Sequence, residues 1–182
     1  MSAVSAGRRS RRAWGWHRLT DEWAARVVAD AGVRPGELVL DIGAGEGALT
    51  CPLLEAGARV VAVEPHVGRA ASLRRISPAG VTVVEADAAA LRLPGRPFRV
   101  VASPPYAISS TLLRLLLAPE SRLVAADVVL QRAVVRRYAD GAAPGARRWL
   151  RRWDLRLGRS IPRRAFRPPP RVDSAVLVVR RR

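Results

Sequence analysis

The sequence lacks the features by which several common classes of protein are recognised. Its 182 residues include no lysine, one cysteine (Cys51) and two histidines (His17 and His66), and no apolar run approaches the roughly 20 residues that cross a bilayer. One cysteine excludes an internal disulfide and a cysteine metal cluster. No carboxylate joins the two histidines at the spacing of metal ligands, so we expect neither a metal nor a membrane segment.

The beginning of the chain has no apolar stretch after its first arginines, so it does not resemble a secretory signal. Together with the lone cysteine, this predicts a protein of the reducing cytoplasm. Residues 1–15 are small, polar and basic, and we expect them to form a flexible arm because they have little to bury. Residues 16–182 are enough for one domain with one core and too few for two domains of ordinary size.

Positive charge is what the sequence has in excess. Its 32 basic residues, all of them arginine, outnumber 15 acidic residues and give a net charge of +17. Apolar residues make up 49% of the chain and charged residues 26%, which is typical of a globular protein and excludes disorder throughout. The charge favours a polyanionic partner, because guanidinium groups bind phosphates in a bidentate way.

Short apolar segments alternate along the chain with segments of helical periodicity. The predicted strands cover residues 37–42, 59–63, 81–85, 98–102 and 123–130, followed by two more at 153–157 and 174–179. The first predicted helix follows Thr20, which is placed to cap it, and is stopped by Gly32 and Pro35. The other predicted helices cover residues 48–56, 66–76 and 109–117. Strands that alternate with helices at this spacing form a mostly parallel sheet with helices on both faces. The sequence therefore predicts a doubly wound α/β fold.

A glycine-rich turn follows the first of these strands. Gly43, Gly45 and Gly47 occupy alternate positions before a predicted helix, where the backbone can approach a ligand and the helix N-terminus favours an anion. The third glycine comes one residue earlier than in the dinucleotide fingerprint, which favours a smaller adenosyl compound. Glu64 and Asp87 stand at the ends of the next two strands. There they can bind ribose and adenine, although each alone is also typical of a strand that enters a loop.

The segment Ser103-Pro104-Pro105-Tyr106 follows the fourth predicted strand. Two successive prolines fix φ and leave carbonyl oxygens in set directions, and Tyr106 offers a flat face. Such a turn suits a planar ring with an exocyclic amine, a poor nucleophile until acceptors bind its hydrogens. We assign these acceptors to the Pro104 carbonyl and the Ser103 hydroxyl. The alternative is an ordinary proline-rich turn with Tyr106 packed on the core.

Four motifs follow one another along the chain: residues 41–47, Glu64, Asp87 and residues 103–106. They resemble the successive motifs of S-adenosylmethionine-dependent amino-methyltransferases. The resemblance is closest to the ribosomal RNA adenine N6-methyltransferases of the erythromycin-resistance type, which are related to the small-subunit rRNA adenine dimethylases. It extends to His17 and Leu19, which match a cofactor-contacting segment, and to residues 166–174, which match the pattern Phe-x-Pro-x-Pro-x-Val-x-Ser. It covers about residues 16–180. The resemblance implies a Rossmann-like methyltransferase fold. We expect a single domain, without the helical RNA-binding domain that usually follows in this family.

The resemblance also implies roles for individual residues. The predicted cofactor-binding residues are Gly43, Gly45 and Glu46 around the methionine part, Glu64 at the ribose, Asp87 at the adenine, and His17, Leu19 and Ser103. The predicted catalytic residues are Ser103, Pro104, Tyr106 and Phe166, with the ring of a flipped adenine between the two aromatic faces. The sequence departs from the family at Ser103, where asparagine is usual, and at Trp16 and Arg18, which replace glutamine and phenylalanine.

By the same resemblance, the expected activity is N6-methylation of an adenine in 23S ribosomal RNA. S-adenosylmethionine would be the methyl donor, and resistance to macrolide, lincosamide and streptogramin B antibiotics would result. We expect a monomer that binds ribosomal RNA at an unpaired adenine. Three alternatives stay open: a small-subunit rRNA adenine dimethylase, a catalytically weak RNA-binding protein that keeps the fold, and a methyltransferase that acts on protein or DNA.

Arginines near both ends of the chain are candidates for holding the RNA. Trp149 and Trp153 interleave with arginines between residues 147 and 164, and arginines with aromatic neighbours pair with phosphates and stack on unpaired bases. The predicted RNA-binding residues are Arg8, Arg9, Arg11, Arg12, Arg147, Arg148, Arg151, Arg152, Arg163 and Arg164. The alternative is a solvated basic face with Trp153 in the core.

Overall fold

Residues 17–76 and 81–182 are described by a computed structural model of the protein. The predicted arm, with Arg8, Arg9, Arg11 and Arg12, lies outside the described residues, as does Trp16. Among the residues that are described, none of the helices has both the length and the apolar character needed to span a membrane.

Strands and helices alternate through most of the described chain. The strands are β1 (Arg18–Leu19), β2 (Leu38–Ile42), β3 (Arg59–Val63), β4 (Val81–Val84), β5 (Phe98–Ala102), β6 (Leu123–Gln131), β7 (Trp153–Ile161), β8 (Phe166–Arg167) and β9 (Ser174–Arg181). The helices are α1 (Asp21–Ala31), α2 (Thr50–Glu55), α3 (Val67–Ile76), α4 (Ser109–Leu116), α5 (Arg132–Ala139) and α6 (Ala146–Trp149). Every predicted strand is confirmed, and the ends of β2 to β6 lie within one residue of the predicted ones.

Seven of these strands form one sheet in the order β4-β3-β2-β5-β6-β9-β7. β2 pairs in parallel with β3 and β5, and β5 in parallel with β6, whereas β9 is antiparallel to its neighbours β6 and β7. The chain builds outward from β2 through β3 to β4, then returns to add β5 on the other side of β2. The carboxyl ends of β2 and β5 therefore form a topological switch point, where a doubly wound sheet leaves a crevice for a ligand.

Apolar side chains from the two faces of the sheet form two main core clusters. In β2, Leu38, Leu40 and Ile42 pack in the cluster that includes residues of α4, α5 and α6, whereas Val39 packs with residues of α1 and α2. Successive strand residues point to opposite faces, so a strand covered by helices on both sides is apolar along its length. The predicted doubly wound α/β fold, with a mostly parallel sheet, is confirmed.

Helix α1 begins and ends where the sequence predicts. Thr20 occupies the N-cap position, but its hydroxyl makes no capping hydrogen bond. Its backbone N–H donates instead to the Ala165 carbonyl oxygen at 2.8 Å. Gly32 ends the helix in the left-handed conformation, with φ of 60°, which glycine adopts without a steric penalty. Thr20 thus links the start of α1 to the segment that follows β7.

A small separate sheet joins two segments that are distant in sequence. β1 and β8 pair antiparallel, with Leu19 opposite Phe166. Next to this pair, Nδ1 of His17 donates to the Pro168 carbonyl oxygen at 2.8 Å. The sequence did not predict this sheet, which places His17 beside the proline-rich segment before β9.

Candidate active site

A cleft of about 310 Å³ opens at the carboxyl ends of the parallel strands. Five segments of the chain contribute to it: His17 before β1, the turn after β2, the residues after β3, the loop after β4 and the turn after β5. The lining residues include His17, Ile42, Gly43, Val63, Glu64, Arg69, Asp87, Pro105, Tyr106 and Ile108. The structure thus brings the glycine-rich turn, both predicted carboxylates and the predicted aromatic face into one space of the size of a small-molecule site.

Gly43 lies where the two turns of the switch point come closest. Its φ is 78°, and a Cβ placed on it would lie 3.1 Å from Cα of Pro104 and 3.3 Å from Cδ of Pro105. Glycine therefore meets both a conformational and a steric requirement at this position. Pro104 is buried behind it, and Pro105 with Tyr106 lines the cleft. The two predicted motifs form one continuous wall.

The Glu64 carboxylate organises the loops around the cleft. The residue is 1% exposed. Its Oε2 accepts the backbone N–H of Gly45 at 2.9 Å, and its Oε1 accepts the backbone N–H of His66 at 2.9 Å. These two bonds tie the glycine-rich turn to the segment that leads into α3, so Glu64 shapes the site as well as facing it.

Arg69 is a residue of the site that the sequence did not predict. Its Nε and Nη2 donate to Oε1 of Glu64 at 3.0 and 2.8 Å. An ionised carboxylate has about four acceptor positions. These positions are divided between the two oxygens. The three donors at Oε1 occupy that oxygen, whereas Oε2 accepts only from Gly45, so the acceptor position that stays open belongs to Oε2. While Arg69 donates to Oε1, Glu64 can accept a hydrogen bond from one ribose hydroxyl. The Arg69 side chain must move away before Glu64 can accept hydrogen bonds from both. The available signal was position alone, five residues after Glu64 in the first turn of α3.

Asp87 is exposed and lines the same cleft. Much of the remaining wall is apolar and includes Ile42, Val63 and Ile108. Apolar walls cover the faces of a flat heterocycle, while carboxylates accept hydrogen bonds from its amino group and from sugar hydroxyls. The cleft therefore suits a nucleoside.

A smaller polar cavity adjoins this cleft at His17 and Gly43, which line both. Its volume is about 20 Å³. Its other walls include Leu19, Asp41, Glu46 and Ser103. Asp41 and Glu46 offer negative charge to a cationic amino group. Arg18 also lines the cavity, with its Nε 3.8 Å from Oε2 of Glu46. Together, the two spaces outline a ligand with a flat, largely apolar end and a short charged end.

Burial raises the pKa of Asp41 from its usual 3.8 to about 7. The hydroxyl of Thr50 donates to Oδ2 of Asp41 at 2.7 Å, which lowers this pKa, whereas the negative charge of Glu64 raises it further. Near neutral pH, this carboxyl is therefore divided between its neutral and charged forms. A cationic group in the adjoining cavity would favour the charged form.

The hydroxyl of Tyr106 fixes its ring at the cleft. It forms a hydrogen bond of 2.5 Å with the hydroxyl of Ser174, a fully buried residue at the start of β9. Burial raises the pKa of Tyr106 above its usual 10.0, and the bond to Ser174 acts in the opposite direction. The phenol is therefore neutral at physiological pH. Tyr106 offers the face of its ring for stacking and does not act as a proton acceptor. Ser174 ends the predicted Phe-x-Pro-x-Pro-x-Val-x-Ser pattern, but the sequence assigned it no role.

Phe166 does not line the cleft. Its residue is 1% exposed, and it packs in the core beside Leu19 and Val27. The pairing of β1 with β8 buries it, so neither face of its ring is open to a base in this structure. His17 is the aromatic residue beside Tyr106, with ring centroids 6.0 Å apart and planes tilted by 31°.

Six of the predicted RNA-binding arginines belong to the described residues, and these six lie at two opposite edges of the sheet. Trp153 begins β7 opposite Arg181, and Ile161 ends it opposite Ser174. Because Ser174 is also opposite Gln131, β7 ends at the edge where β6 ends, which is the edge of the cleft. Arg163 and Arg164 follow β7 and lie at that edge. The arginines that precede β7 lie at the other edge: Arg147, Arg148, Arg151 and Arg152.

Cys51 lies in α2 and is partly buried. Burial raises the pKa of its thiol, and the nearby charges of Glu55 and Asp21 act in the same direction. The thiol is therefore protonated near neutral pH, unlike a nucleophilic cysteine. In the part of the chain that the structure describes, no three histidine, cysteine or acidic residues are grouped so that they could hold a metal ion.

Comparison with known proteins gives a consistent set of relatives. A family model described as "Ribosomal RNA adenine dimethylase" matches residues 7–182. The chain is 35% identical to Ribosomal RNA small subunit methyltransferase A of Ralstonia nicotianae over 97% of this chain and 66% of that protein. It is 41% identical to the protein of the same name from Leifsonia xyli subsp. xyli, over 84% and 59%. It is 34% identical to rRNA adenine N-6-methyltransferase of Corynebacterium diphtheriae, over 100% and 71%. The chain thus spans 66% of the length of the Ralstonia protein and 59% of the length of the Leifsonia protein, both less than two thirds.

Solved structures share the fold. The crystal structure of 23S rRNA methyltransferase ErmE matches with a TM-score of 0.83 and 31% identity, over 91% of this chain and 70% of that one. A dimethyladenosine transferase from Plasmodium falciparum matches with a TM-score of 0.80 and 22% identity, over 91% and 64%. At that lower identity, the second match supports the fold alone.

Proposed function

Because the chain belongs to the ribosomal RNA adenine dimethylase family, we propose that it transfers a methyl group from S-adenosylmethionine to the N6 amine of an adenine in ribosomal RNA. The main support is the cleft at the switch point, where Gly43, Glu64, Asp87 and Tyr106 meet. These groups suit an adenosyl compound beside a base with an exocyclic amine. We also propose that the protein acts as a monomer in the cytoplasm.

S-adenosylmethionine, when bound, supplies a methyl group activated by a positively charged sulfonium. The described residues fit it, because the apolar cleft has carboxylates at two points and adjoins a cavity with two more. Glu64 would hold the ribose and Asp87 the adenine amino group, while Asp41 adds negative charge near the amino-acid end. The residues proposed to hold the cofactor are His17, Leu19, Gly43, Gly45, Glu46, Glu64, Asp87 and Ser103.

The residues of the turn after β5 are proposed to position the target base. The adenine amine is a weak nucleophile because its lone pair is delocalised into the ring. The Ser103 hydroxyl and the Pro104 carbonyl would accept its two hydrogens and localise the lone pair, and the neutral ring of Tyr106 would stack on the base. The nitrogen loses one proton to solvent after it gains the methyl group, so a strong base is not needed. Positioning in a water-poor cleft supplies most of the rate.

The proposed substrate is 23S ribosomal RNA, with resistance to macrolide, lincosamide and streptogramin B antibiotics as the consequence. A methyl group on an adenine that contacts such drugs removes a hydrogen-bond donor and adds bulk. The likeness to ErmE, at 31% identity over 91% of this chain, favours this substrate. Small-subunit rRNA is the second candidate, because the relatives from Ralstonia and Leifsonia are named small-subunit methyltransferases.

The test incubates the protein with labelled S-adenosylmethionine and with each ribosomal subunit or its naked rRNA, and then maps the labelled nucleoside. We expect label on N6 of an adenine in 23S rRNA. Label in 16S rRNA would support the second candidate. Label only in protein or DNA would contradict an RNA acceptor. Cofactor binding without any transfer would instead indicate an RNA-binding protein that keeps the fold.

Two variants of Tyr106 sharpen this test. Tyr106→Ala removes the stacking face, so we expect labelling to be lost while S-adenosylhomocysteine binds nearly as before. Tyr106→Phe keeps the face and loses the hydrogen bond to Ser174, so it should retain part of the activity. Undiminished labelling by the alanine variant would contradict the stacking role.

A further inference from the structure

A second cleft, of about 390 Å³, opens where α4 ends and β7 begins. We call it the far-edge cleft, and the lining residues that matter here are Arg114, Arg148, Trp149, Arg151, Arg152 and Trp153. It shares no lining residue with the active-site cleft. Its volume is in the range of sites that hold nucleotide-sized ligands.

Strand pairing places this cleft at the edge of the sheet opposite the active site. Asp154, the second residue of β7, lies opposite Arg180 of β9, and Arg180 lies opposite Ala125 near the start of β6. The active-site residues instead follow the ends of the parallel strands. β6 has nine residues, so at about 3.3 Å per residue the two edges are roughly 25 Å apart.

The charge of the far-edge cleft is uncompensated within the described residues. Its four arginines are exposed, and none makes a side-chain ion pair or hydrogen bond to another described residue. No acidic residue lines the cleft. Asp154, which follows Trp153, pairs with Arg156 at 2.8 Å. Other arginines of the chain are paired, such as Arg159 with Asp30, so the four of the cleft stand out as sites for an external anion.

The floor between these arginines is apolar and held in place. Trp149 is 5% exposed and Trp153 is 3% exposed. Trp149 stacks on Tyr138, with ring centroids 5.7 Å apart and planes 16° from parallel. A fixed apolar floor with guanidinium groups around it suits a base and its flanking phosphates, because the floor covers the base and arginine pairs with phosphate in a bidentate way.

We propose that the far-edge cleft binds the backbone of the RNA substrate, with an unpaired nucleotide on its floor, at a distance from the reacting adenine. This rests on the proposed function for the identity of the ligand. Arg114 of α4 belongs to this site, although the sequence did not single it out. A stacked strand carries one phosphate per about 3.4 Å, so an RNA that occupies both clefts extends roughly seven nucleotides or more beyond the target.

The experiment compares two double variants that remove the same charge. Arg148→Gln with Arg151→Gln alters the far-edge cleft. Arg34→Gln with Arg75→Gln removes two exposed arginines near β2 and α3 and serves as the control. Binding is measured by fluorescence anisotropy between 50 and 200 mM salt. The probes are an RNA hairpin of about 40 nucleotides and an oligonucleotide of about six, both with an unpaired adenine.

The far-edge variant should bind the hairpin more weakly and with less dependence on salt. Loss of two phosphate contacts lowers the slope of log K against log salt by about 1.4 to 1.8. The ratio of the dissociation constants of variant and wild type should therefore fall about tenfold as the salt concentration rises fourfold, from 50 to 200 mM. The short oligonucleotide cannot reach both clefts, so its binding should change much less than that of the hairpin. The control variant should resemble wild type with both RNAs.

Two results would overturn the proposal. Equal effects of the two double variants would mean that net charge, and not this cleft, attracts RNA. Unchanged hairpin binding by the far-edge variant would exclude RNA from the cleft and leave an acidic protein as the alternative occupant. Unfolding temperature and S-adenosylhomocysteine binding of each variant check that the fold is intact.

The methyl-transfer assay is read separately, so that the two proposals fail in different ways. If the protein methylates rRNA but the far-edge variant binds RNA like wild type, the far-edge proposal is contradicted and the proposed function stands. If the far-edge variant binds RNA more weakly but no methyl transfer is detected, the proposed activity is contradicted and the far-edge binding site stands.

Discussion

Replacement of Glu64 by glutamine is expected to disrupt the cofactor site, although the two side chains have the same shape. Both carboxylate oxygens accept a backbone N–H, Oε2 from Gly45 and Oε1 from His66, and Oε1 also accepts from Arg69. Glutamine has one acceptor oxygen and one amide NH₂. In either orientation the NH₂ faces a backbone N–H, so one buried donor is left without an acceptor.

The size of the effect follows from that unpaired donor. A buried donor that loses its acceptor costs about 1–3 kcal/mol. Because Gly45 is held by this bond, the cost falls on the conformation of the turn that contacts the ligand. About 1.4 kcal/mol corresponds to a tenfold change in an equilibrium constant. We therefore expect the Kd for S-adenosylhomocysteine to rise about 10- to 100-fold in Glu64→Gln, with a loss of up to about 3 kcal/mol in the free energy of unfolding.

Isothermal titration calorimetry with S-adenosylhomocysteine measures this change. The matched control is Glu85→Gln, the same substitution at an exposed glutamate that pairs with Arg74 at 2.6 Å and does not line the cleft. The control should bind like wild type. Wild-type affinity in Glu64→Gln, measured where the variant is folded, would refute the role of Glu64 both in shaping the turn and in holding the ribose.

Three further variants are informative. Gly43→Ala forces a Cβ to within 3.1 Å of Pro104 at a φ of 78°; the left-handed conformation alone costs about 1–2 kcal/mol, so the unfolding temperature should fall, and an unchanged value in thermal unfolding would contradict the close approach. Burial raises the pKa of Asp41 to about 7, so the folded protein retains a proton that the unfolded chain releases above about pH 4, and the contribution of Asp41 to stability falls as pH rises towards 7. Asp41→Asn should therefore gain about 3 kcal/mol relative to wild type between pH 5 and pH 8 in urea unfolding, whereas a constant difference would contradict the shift. Ser174→Ala frees the hydroxyl of Tyr106, so it should raise KM for rRNA several-fold while the Kd for S-adenosylhomocysteine stays the same; the reverse pattern would place Ser174 in the cofactor site.

The main sheet could be predicted because most of its strands are short apolar runs bounded by glycine, proline or charged residues, while the start of β7 alternates apolar with charged residues. β2 is buried at every position, and such a run is typical of a parallel strand between two helical layers. The sheet of β1 and β8 could not be predicted, because two-residue strands have no periodicity. Helix α5 gave a weak signal for a similar reason, since Val135 and Tyr138 are the only buried residues that it contributes.

The predicted cofactor residues share one cleft because the ends of parallel strands meet at one edge of the sheet. Their partners could not be read from the sequence. Arg69 and Ser174 are ordinary polar residues until packing brings them to Glu64 and Tyr106. The pairing of β1 with β8, which buries the ring of Phe166, could not be read from the sequence either. The stacking role assigned to that ring stays a prediction.

The arginine-rich stretch shows how sequence proximity misleads. A strand lies between Arg152 and Arg163, and its nine residues cross the whole sheet. Arginines that are neighbours in the sequence therefore reach opposite edges of the molecule. The register of β7 on β9, which sets this separation, depends on tertiary packing and is not encoded in the charge pattern.

The most direct test of the account is a crystal structure of the protein with S-adenosylhomocysteine bound. We expect the ribose hydroxyls at Glu64, the adenine amino group at Asp87 and the homocysteine end towards Asp41 and Glu46, with Tyr106 beside the sulfur. A ligand bound outside this cleft, or bound with its adenine in the smaller cavity, would contradict it.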